Sequence, residues 1–243
     1  MYNESMRSTK LSPALVLIYS ILTLIQLSPA PLRAWELAGD SIQAAPLPLV
    51  RQGIIHPVQS DFDKNGVFER LEIIRGQAQI LTGDQILWQS PQGWNVRQAA
   101  LSDLNQDGSI EAVLLVWRPF KPWPVDKWLP NGGRIEGFHN ALGESCHIIL
   151  IGWAKGMFKE RWAGSALSEP VKTFELVDLN QDGFDEVITL DSSYETAPGP
   201  LADTLKVWEW NGFGFSLVSE RKGIFTDLEI TRSEDGRTIL LTP

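Results

Sequence analysis

Nine residues recur three times in this chain, and their spacing dictates most of what it can fold into. The copies are Asp61-Phe-Asp63-Lys-Asn65-Gly66-Val67-Phe-Glu69, Asp103-Leu-Asn105-Gln-Asp107-Gly108-Ser109-Ile-Glu111 and Asp178-Leu-Asn180-Gln-Asp182-Gly183-Phe184-Asp-Glu186. Each carries oxygen-bearing side chains at places 1, 3, 5 and 9 and a glycine at place 6. Side chains at places 1, 3 and 5 of a tight loop converge on one point. The backbone carbonyl at place 7 (Val67, Ser109, Phe184) adds an oxygen, and the acid at place 9 closes the shell. Calcium takes six to eight oxygens at about 2.3–2.6 Å, so this donor set suits it. Glycine at place 6 permits the sharp reversal that a Cβ would obstruct.

An EF-hand shares the first part of this pattern but needs a bidentate Glu at place 12 between two helices. Place 12 here is Glu72, Leu114 and Thr189, and both flanks of every copy read as strands. The competing reading of the loops is a metal-free Asx turn. The first copy carries Lys64 and has Asn65 at place 5, so it is expected to bind calcium least tightly.

Around each loop the chain repeats one order of short β-like runs. The first unit, about 54–90, has runs at 54–59, 71–75, 77–81 and 85–89. The second, about 93–163, has them at 95–101, 111–117, 146–153 and 157–162, with an insertion over 118–145. The third, about 171–219, has them at 171–177, 186–191, 204–210 and 213–218, with a shorter insertion near 192–203. A tail over 224–243 begins a fourth unit. Its loop carries Thr231, Ser233, Asp235, Gly236 and Ile239 at places 1, 3, 5, 6 and 9, too few carboxylates for calcium. The first places of successive loops lie 42, 75 and 53 residues apart. Without insertions of about 28 and about 12 residues, the last two gaps become about 47 and about 41. A period in the forties with four strands per period predicts propeller blades.

Strand, DxDxDG-type loop and strand in this order resemble the FG-GAP/VCBS repeat, the calcium-bearing blade of integrin-α-like propellers. The resemblance covers about 54–241. It implies an all-β fold: a small β-propeller of three to four four-stranded blades, the last blade incomplete or closed by the N-terminal segment. It also implies up to three structural calcium ions. One is held by Asp61, Asp63, Asn65 and Glu69, a second by Asp103, Asn105, Asp107 and Glu111, and a third by Asp178, Asn180, Asp182 and Glu186. The Pro-rich stretch 35–53 reads as a linker with one edge strand.

Residues 1–34 read as a secretory signal. Arg7 and Lys10 precede an apolar run over 11–27, and small residues follow. An uncleaved signal anchor is the alternative: the run lies at the short edge of a bilayer span, and the cleavage site is poor, with Pro31 after a cut at Ala30 and Leu32 third before a cut at Ala34. Either way the body is expected outside the cytoplasm, secreted or anchored at its N-terminus. The formal net charge is −9. Residues 1–34 carry +2, which leaves −11 on the body. That acidity disfavours nucleic acid and anionic membrane surfaces. Cys146 is the single cysteine, so no intramolecular disulfide framework exists.

No catalytic constellation is legible. The three histidines are His56, His139 and His147, and no HExxH or GxSxG occurs. Cys146 and His147 are adjacent on a predicted strand and point to opposite faces. The insertion at 118–145 is the most function-like stretch outside the loops. Trp123, Trp128 and His139 would stack on a sugar or anchor a protein partner; folding back over a blade edge is the alternative. The expected function is therefore a non-enzymatic, adhesion-type module binding a protein or glycan. The alternatives are a purely structural envelope scaffold or a polysaccharide-processing enzyme.

Overall fold

A computed structural model describes residues 31–54, 56–121 and 137–243. Among these residues every regular element is a strand, and all sheets are antiparallel. The first sheet holds β4 (Gln59–Ser60), β5 (Glu69–Ile74), β6 (Gln77–Thr82) and β7 (Gln85–Gln89). The second holds β8 (Asn95–Ser102), β9 (Glu111–Pro119), β10 (Glu144–Ala154) and β11 (Met157–Ala163). The third holds β12 (Val171–Val177), β13 (Glu186–Asp191), β14 (Ala202–Trp210) and β15 (Phe215–Phe225). In each, strands pair in chain order. The hairpin turns carry residues with positive φ, such as Arg75-Gly76 at 52° and 80° and Lys155-Gly156 at 55° and 80°. Two consecutive left-handed residues match the right-handed twist of the flanking strands.

The fourth sheet draws on both ends of the chain. Its order is β2 (Ser41–Ala45), β1 (Arg33–Ala38), β17 (Thr238–Thr242), β16 (Glu229–Arg232) and β3 (Gln52–Gly53). Trp35 pairs with Leu240 and Ala34 with Leu241. The stretch expected to be a linker is therefore a hairpin plus a short edge strand. The body also begins earlier than the expected boundary after residue 34, because Arg33 pairs with Thr242. Apolar alternation is weak in β1 and β2, with only Ala34, Trp35 and Ile42 buried. A partner strand supplied from the far end of the chain makes up the difference.

A second departure lies at the start of the first sheet. Of the run at 54–59, only Gln59 is in a strand among the described residues. Pro57 has no N–H for a ladder and restricts the residue before it.

Successive sheets pack through apolar clusters. Leu71 and Ile80 of the first sheet, with Phe62 of the first loop, meet Val96, Leu114 and Ile149 of the second. The other face of the second sheet, with Leu115, Trp117, Cys146 and Leu150, meets Phe174, Leu176 and Val187 of the third. The third sheet's Ile188, Leu205 and Val207 then meet Trp35, Ile42 and Leu240 of the fourth. The middle sheets are thus apolar on both faces, which is why β9, β10 and β13 are near-continuous hydrophobic runs. Among the described residues, no apolar cluster couples the fourth sheet with the first.

Candidate functional site

Each nine-residue loop joins the first strand of a sheet to the second. Place 1 follows the last residue of β4, β8 or β12, and place 9 is the first residue of β5, β9 or β13. Three copies share one backbone path. Place 4 has positive φ in Lys64 (59°), Gln106 (59°) and Gln181 (64°), and so does place 6 in Gly66 (88°), Gly108 (81°) and Gly183 (93°). The same hydrogen bonds recur. The N–H groups of places 5 and 6 donate to the place 1 carboxylate, at 2.9 and 2.8 Å in the first loop, 3.0 and 2.9 Å in the second, and 3.2 and 3.0 Å in the third. The place 7 N–H of Val67, Ser109 or Phe184 donates to the place 5 side chain at 2.7–3.0 Å. The place 5 N–H also donates to the place 3 side chain at 2.8–3.2 Å, so the side chains of places 1, 3 and 5 are all tied to the loop backbone.

The loops differ at place 3. In the first, Asp61, Asp63 and Glu69 bring carboxylate oxygens within 4.8 Å of one another. In the second and third, the amide of Asn105 or Asn180 donates to Glu111 Oε1 (2.9 Å) or Glu186 Oε1 (2.8 Å). A cation held by those carboxylates would displace that amide. Lys64, which was expected to weaken the first loop, turns away: its Nζ donates to the Gly108 carbonyl of the second loop at 3.0 Å. That removes one of the two grounds for ranking the first loop weakest. The second loop instead carries a cation of its own chain, Arg161, which donates to Asp107 Oδ2 at 2.7 Å. Burial opposes ionisation of Asp107, but Arg161 and Ser109 together bring its carboxyl below the usual range.

The acids at place 9 lie beneath the loops, with Glu69, Glu111 and Glu186 all buried. Burial pushes Glu111 up to about 8, and repulsion from Asp107 and Asp103 adds to it. Burial likewise pushes Glu186 up to about 7, against a bond from the Leu179 N–H. Glu69 is raised by burial as well. Glu111 is fully buried, and its Oε2 has no hydrogen-bond partner among the described residues. A buried carboxylate oxygen left without a partner is costly. The converged carboxylates of the first loop and the bare oxygen of Glu111 both fit a hard cation, and an all-oxygen donor set favours such ions over softer metals.

The fourth copy has collapsed. β16 and β17 extend into its ends, leaving Ser233–Arg237 as a tight turn with Ser233 N–H bonded to the Arg237 carbonyl at 2.9 Å. Arg237 Nε occupies Asp235 at 2.8 Å. The turn therefore offers no set of free acids.

Of the insertion residues singled out from sequence, Trp123 and Trp128 lie outside the described residues. His139 is described. Its ring sits 5.1 Å from that of Phe120, and Nδ1 lies 2.9 Å from the Asn140 carbonyl. Cys146 is fully buried, and burial pushes its thiol up to about 12. His147 makes a contact not apparent in the sequence: its Nε2 lies 2.8 Å from Ser145 Oγ. Residues two apart on a strand share a face, and that spacing was the available signal. Ser145 is 1% exposed, so this serine–histidine pair is closed to a substrate.

Burial, reinforced by Arg118, lowers His147 to about 4. The unfolded chain therefore binds a proton that the folded one refuses between about pH 6.5 and 4, and stability falls as pH falls through that window. The full difference is on the order of 3 kcal/mol. Melting His147→Gln beside the parent from pH 7 to pH 4 should show a shallower acid loss in the variant. Equal slopes would refute the assignment.

No protein-family model matches the chain, and comparison with curated proteins finds no match.

Proposed function

We propose that this chain is an extracytoplasmic, calcium-binding β-propeller of the FG-GAP/VCBS type that acts as a non-enzymatic binding module for a protein or glycan. The observation that carries it is the threefold recurrence of one loop, with the same φ values and hydrogen bonds, between the first two strands of three successive sheets. Two further features support it. Neighbouring loops are linked: Lys64 reaches Gly108, and Ser102, which ends β8, donates to Asp185 of the third loop at 2.7 Å. First strands are also neighbours, since Gln98 of β8 bonds Thr173 and the Phe174 N–H of β12 at 2.9 and 3.0 Å. First strands together and strand-one-to-strand-two loops at one end are what blades around an axis produce.

Calcium in these loops would neutralise three crowded acids in each and tie strand one to strand two. Its binding free energy then becomes folding free energy. The three converged carboxylates of the first loop support a site there, against the expectation that it is the weakest, which now rests on Asn65 alone. Binding at the rigid end leaves recognition to the insertion of Trp123, Trp128 and His139. The N-terminal signal places the module where free calcium is high enough to fill weak sites.

Calcium titration by calorimetry in buffers of different ionisation enthalpy tests the metal reading. At pH 7 the metal-free protein keeps a proton on Glu111 and part of one on Glu186. Calcium needs both ionised, so binding releases roughly one proton or more and tightens as pH rises from 6 to 8. Heats independent of buffer, or affinity falling with pH, would contradict it. For the binding role, capture on a glycan array or by a pulled-down partner should be lost in Trp123→Ala and Trp128→Ala. Capture unchanged in both variants would discard the insertion as the recognition surface.

A further inference from the structure

The three loops carry equal charge by different routes. Each has three acids among places 1, 3, 5 and 9. The first has Asp63 at place 3 and Asn65 at place 5, and the second and third reverse that order. What separates the loops comes from the fourth strand of each sheet.

All three sheets break register at the same point between their third and fourth strands. Ile80 pairs with Trp88 and Leu81 with Ile86, which leaves Leu87 as an extra residue. Leu150 pairs with Trp162 and Ile151 with Glu160, which leaves Arg161. Val207 pairs with Ser219 and Trp208 with Leu217, which leaves Val218. An extra residue of this kind is a β-bulge, and it re-aims its side chain. In the third sheet, Val218 lines a cavity of about 300 Å³ together with Asn180 and Glu186 of the third loop. In the second, Arg161 Nη2 donates to Asp107 Oδ2 at 2.7 Å. In these two sheets the bulge residue therefore stands beside the loop of its own sheet, apolar in one and cationic in the other.

Gly152 on β10 makes room for the arginine. A Cβ there would lie 2.9 Å from Arg161 Cγ and 3.2 Å from Glu111 Cγ, so the arginine stem and the place 9 acid pack over the same bare backbone. Arg161 thus reaches the place 5 acid while its stem stands beside the place 9 acid. Lys64 brings a second positive charge to this loop, at the Gly108 carbonyl. Among the described residues, no Lys or Arg pairs with Asp61, Asp63 or Glu69 of the first loop, or with Asp178, Asp182 or Glu186 of the third. A calcium ion in the second loop alone would share a carboxylate with a guanidinium. Repulsion between a divalent and a monovalent cation a few ångströms apart is worth a factor of about ten in affinity even at the dielectric of water.

We infer that Arg161 is a built-in counter-ion of the second loop, and that it makes this loop the last of the three to take calcium: a high-threshold site beside two that fill earlier. The inference rests on the calcium reading above and concerns how the sites are graded. Calcium chloride titrated into the full chain, followed by NMR of the place 6 amides of Gly66, Gly108 and Gly183, reports each loop separately, because each of those N–H groups donates to the place 1 carboxylate of its own loop. In the parent, the Gly108 amide should shift at a higher calcium concentration than the other two. In Arg161→Gln its midpoint should fall about tenfold, with the Gly66 and Gly183 midpoints within about twofold of the parent. If Arg161 only held Asp107 in place, its loss would weaken the second site, so the direction of the change separates the two roles. Val218→Arg puts the cation beside the third loop, where the cavity has room for it, and should raise the Gly183 midpoint several-fold. Gly66 and Gly183 responding while the Gly108 midpoint is unchanged or raised in Arg161→Gln would overturn the inference and leave the calcium reading standing. Gly108 responding first in the parent would overturn it too. No response from any of the three amides would end both. If Val218→Arg does not fold, the parent and Arg161→Gln decide alone.

Discussion

Excess EDTA is expected to lower the melting temperature of this protein by roughly 10–20 °C, and millimolar calcium to restore it. At a free concentration one hundred times Kd, each occupied site contributes about 2.7 kcal/mol. Two occupied loops contribute about 5 kcal/mol, and a domain of 150–250 residues shifts by roughly 2–4 °C per kcal/mol. Removal of a bound ion would have a concrete cost. Asp61, Asp63 and Glu69 are left with their oxygens within 4.8 Å of one another, and Glu111 is left fully buried with one bare oxygen. Glu111 and Glu186 can take up protons to relieve part of this, so the EDTA effect is larger at pH 8 than at pH 6. Magnesium is a poor substitute, because it demands a smaller, near-octahedral shell. Superimposable melting curves with and without EDTA would end the structural-calcium proposal.

Trp35→Ala destabilises the protein by about 3–5 kcal/mol, the usual cost of truncating a buried tryptophan. Trp35 is 6% exposed and sits on β1, between the third and fourth sheets. Its ring meets Phe225 edge to face at 6.4 Å, and the Arg33 and Arg221 guanidinium groups lie 5.7 and 5.0 Å from its centre. Its Nε1 donates to Thr242 Oγ1 at 2.9 Å. One side chain therefore ties the start of the folded body to the last strand and to the neighbouring sheet. Leu49→Ala, in the same Pro-rich stretch but 92% exposed, is the control and should fall within about 0.5 kcal/mol of the parent. Chemical denaturation of both variants measures the difference. Equal losses would mean that the hairpin of β1 and β2 is not anchored as described.

The loops were legible because their chemistry is local. Place 6 needs a glycine and places 1, 3 and 5 need short oxygen-bearing side chains, all within nine consecutive residues, so three copies announce themselves in one dimension. The central strands were legible for the same reason: β9, β10 and β13 are buried on both faces and read as unbroken apolar runs. β1 and β2 were not. Their patterning is weak: β1 is held by pairing with Thr238–Thr242, about two hundred residues away, and β2 pairs back onto β1. Hydrogen bonds at that separation leave no periodic mark on the sequence.

The site chemistry divides in the same way. Lys64 sits inside the first loop in sequence, yet it spends its charge on the Gly108 carbonyl of the second. Arg161 is fifty-four residues from Asp107 and reaches it only because β11 closes the second sheet. Asp191 and Lys206 each stand as a charge in a largely apolar strand, and nothing in their spacing shows that they pair. Only the pairing of β13 with β14 brings them together.

By itself the sequence determined the all-β class, the three loops with their oxygen-bearing side chains, and the order of strands around them, because each depends on residues within reach along the chain. The tertiary structure alone decided that both termini build the fourth sheet, which cations serve which loop, and where a buried ion pair forms. Those features depend on side-chain directions and long-range pairing, and neither is encoded at a fixed spacing.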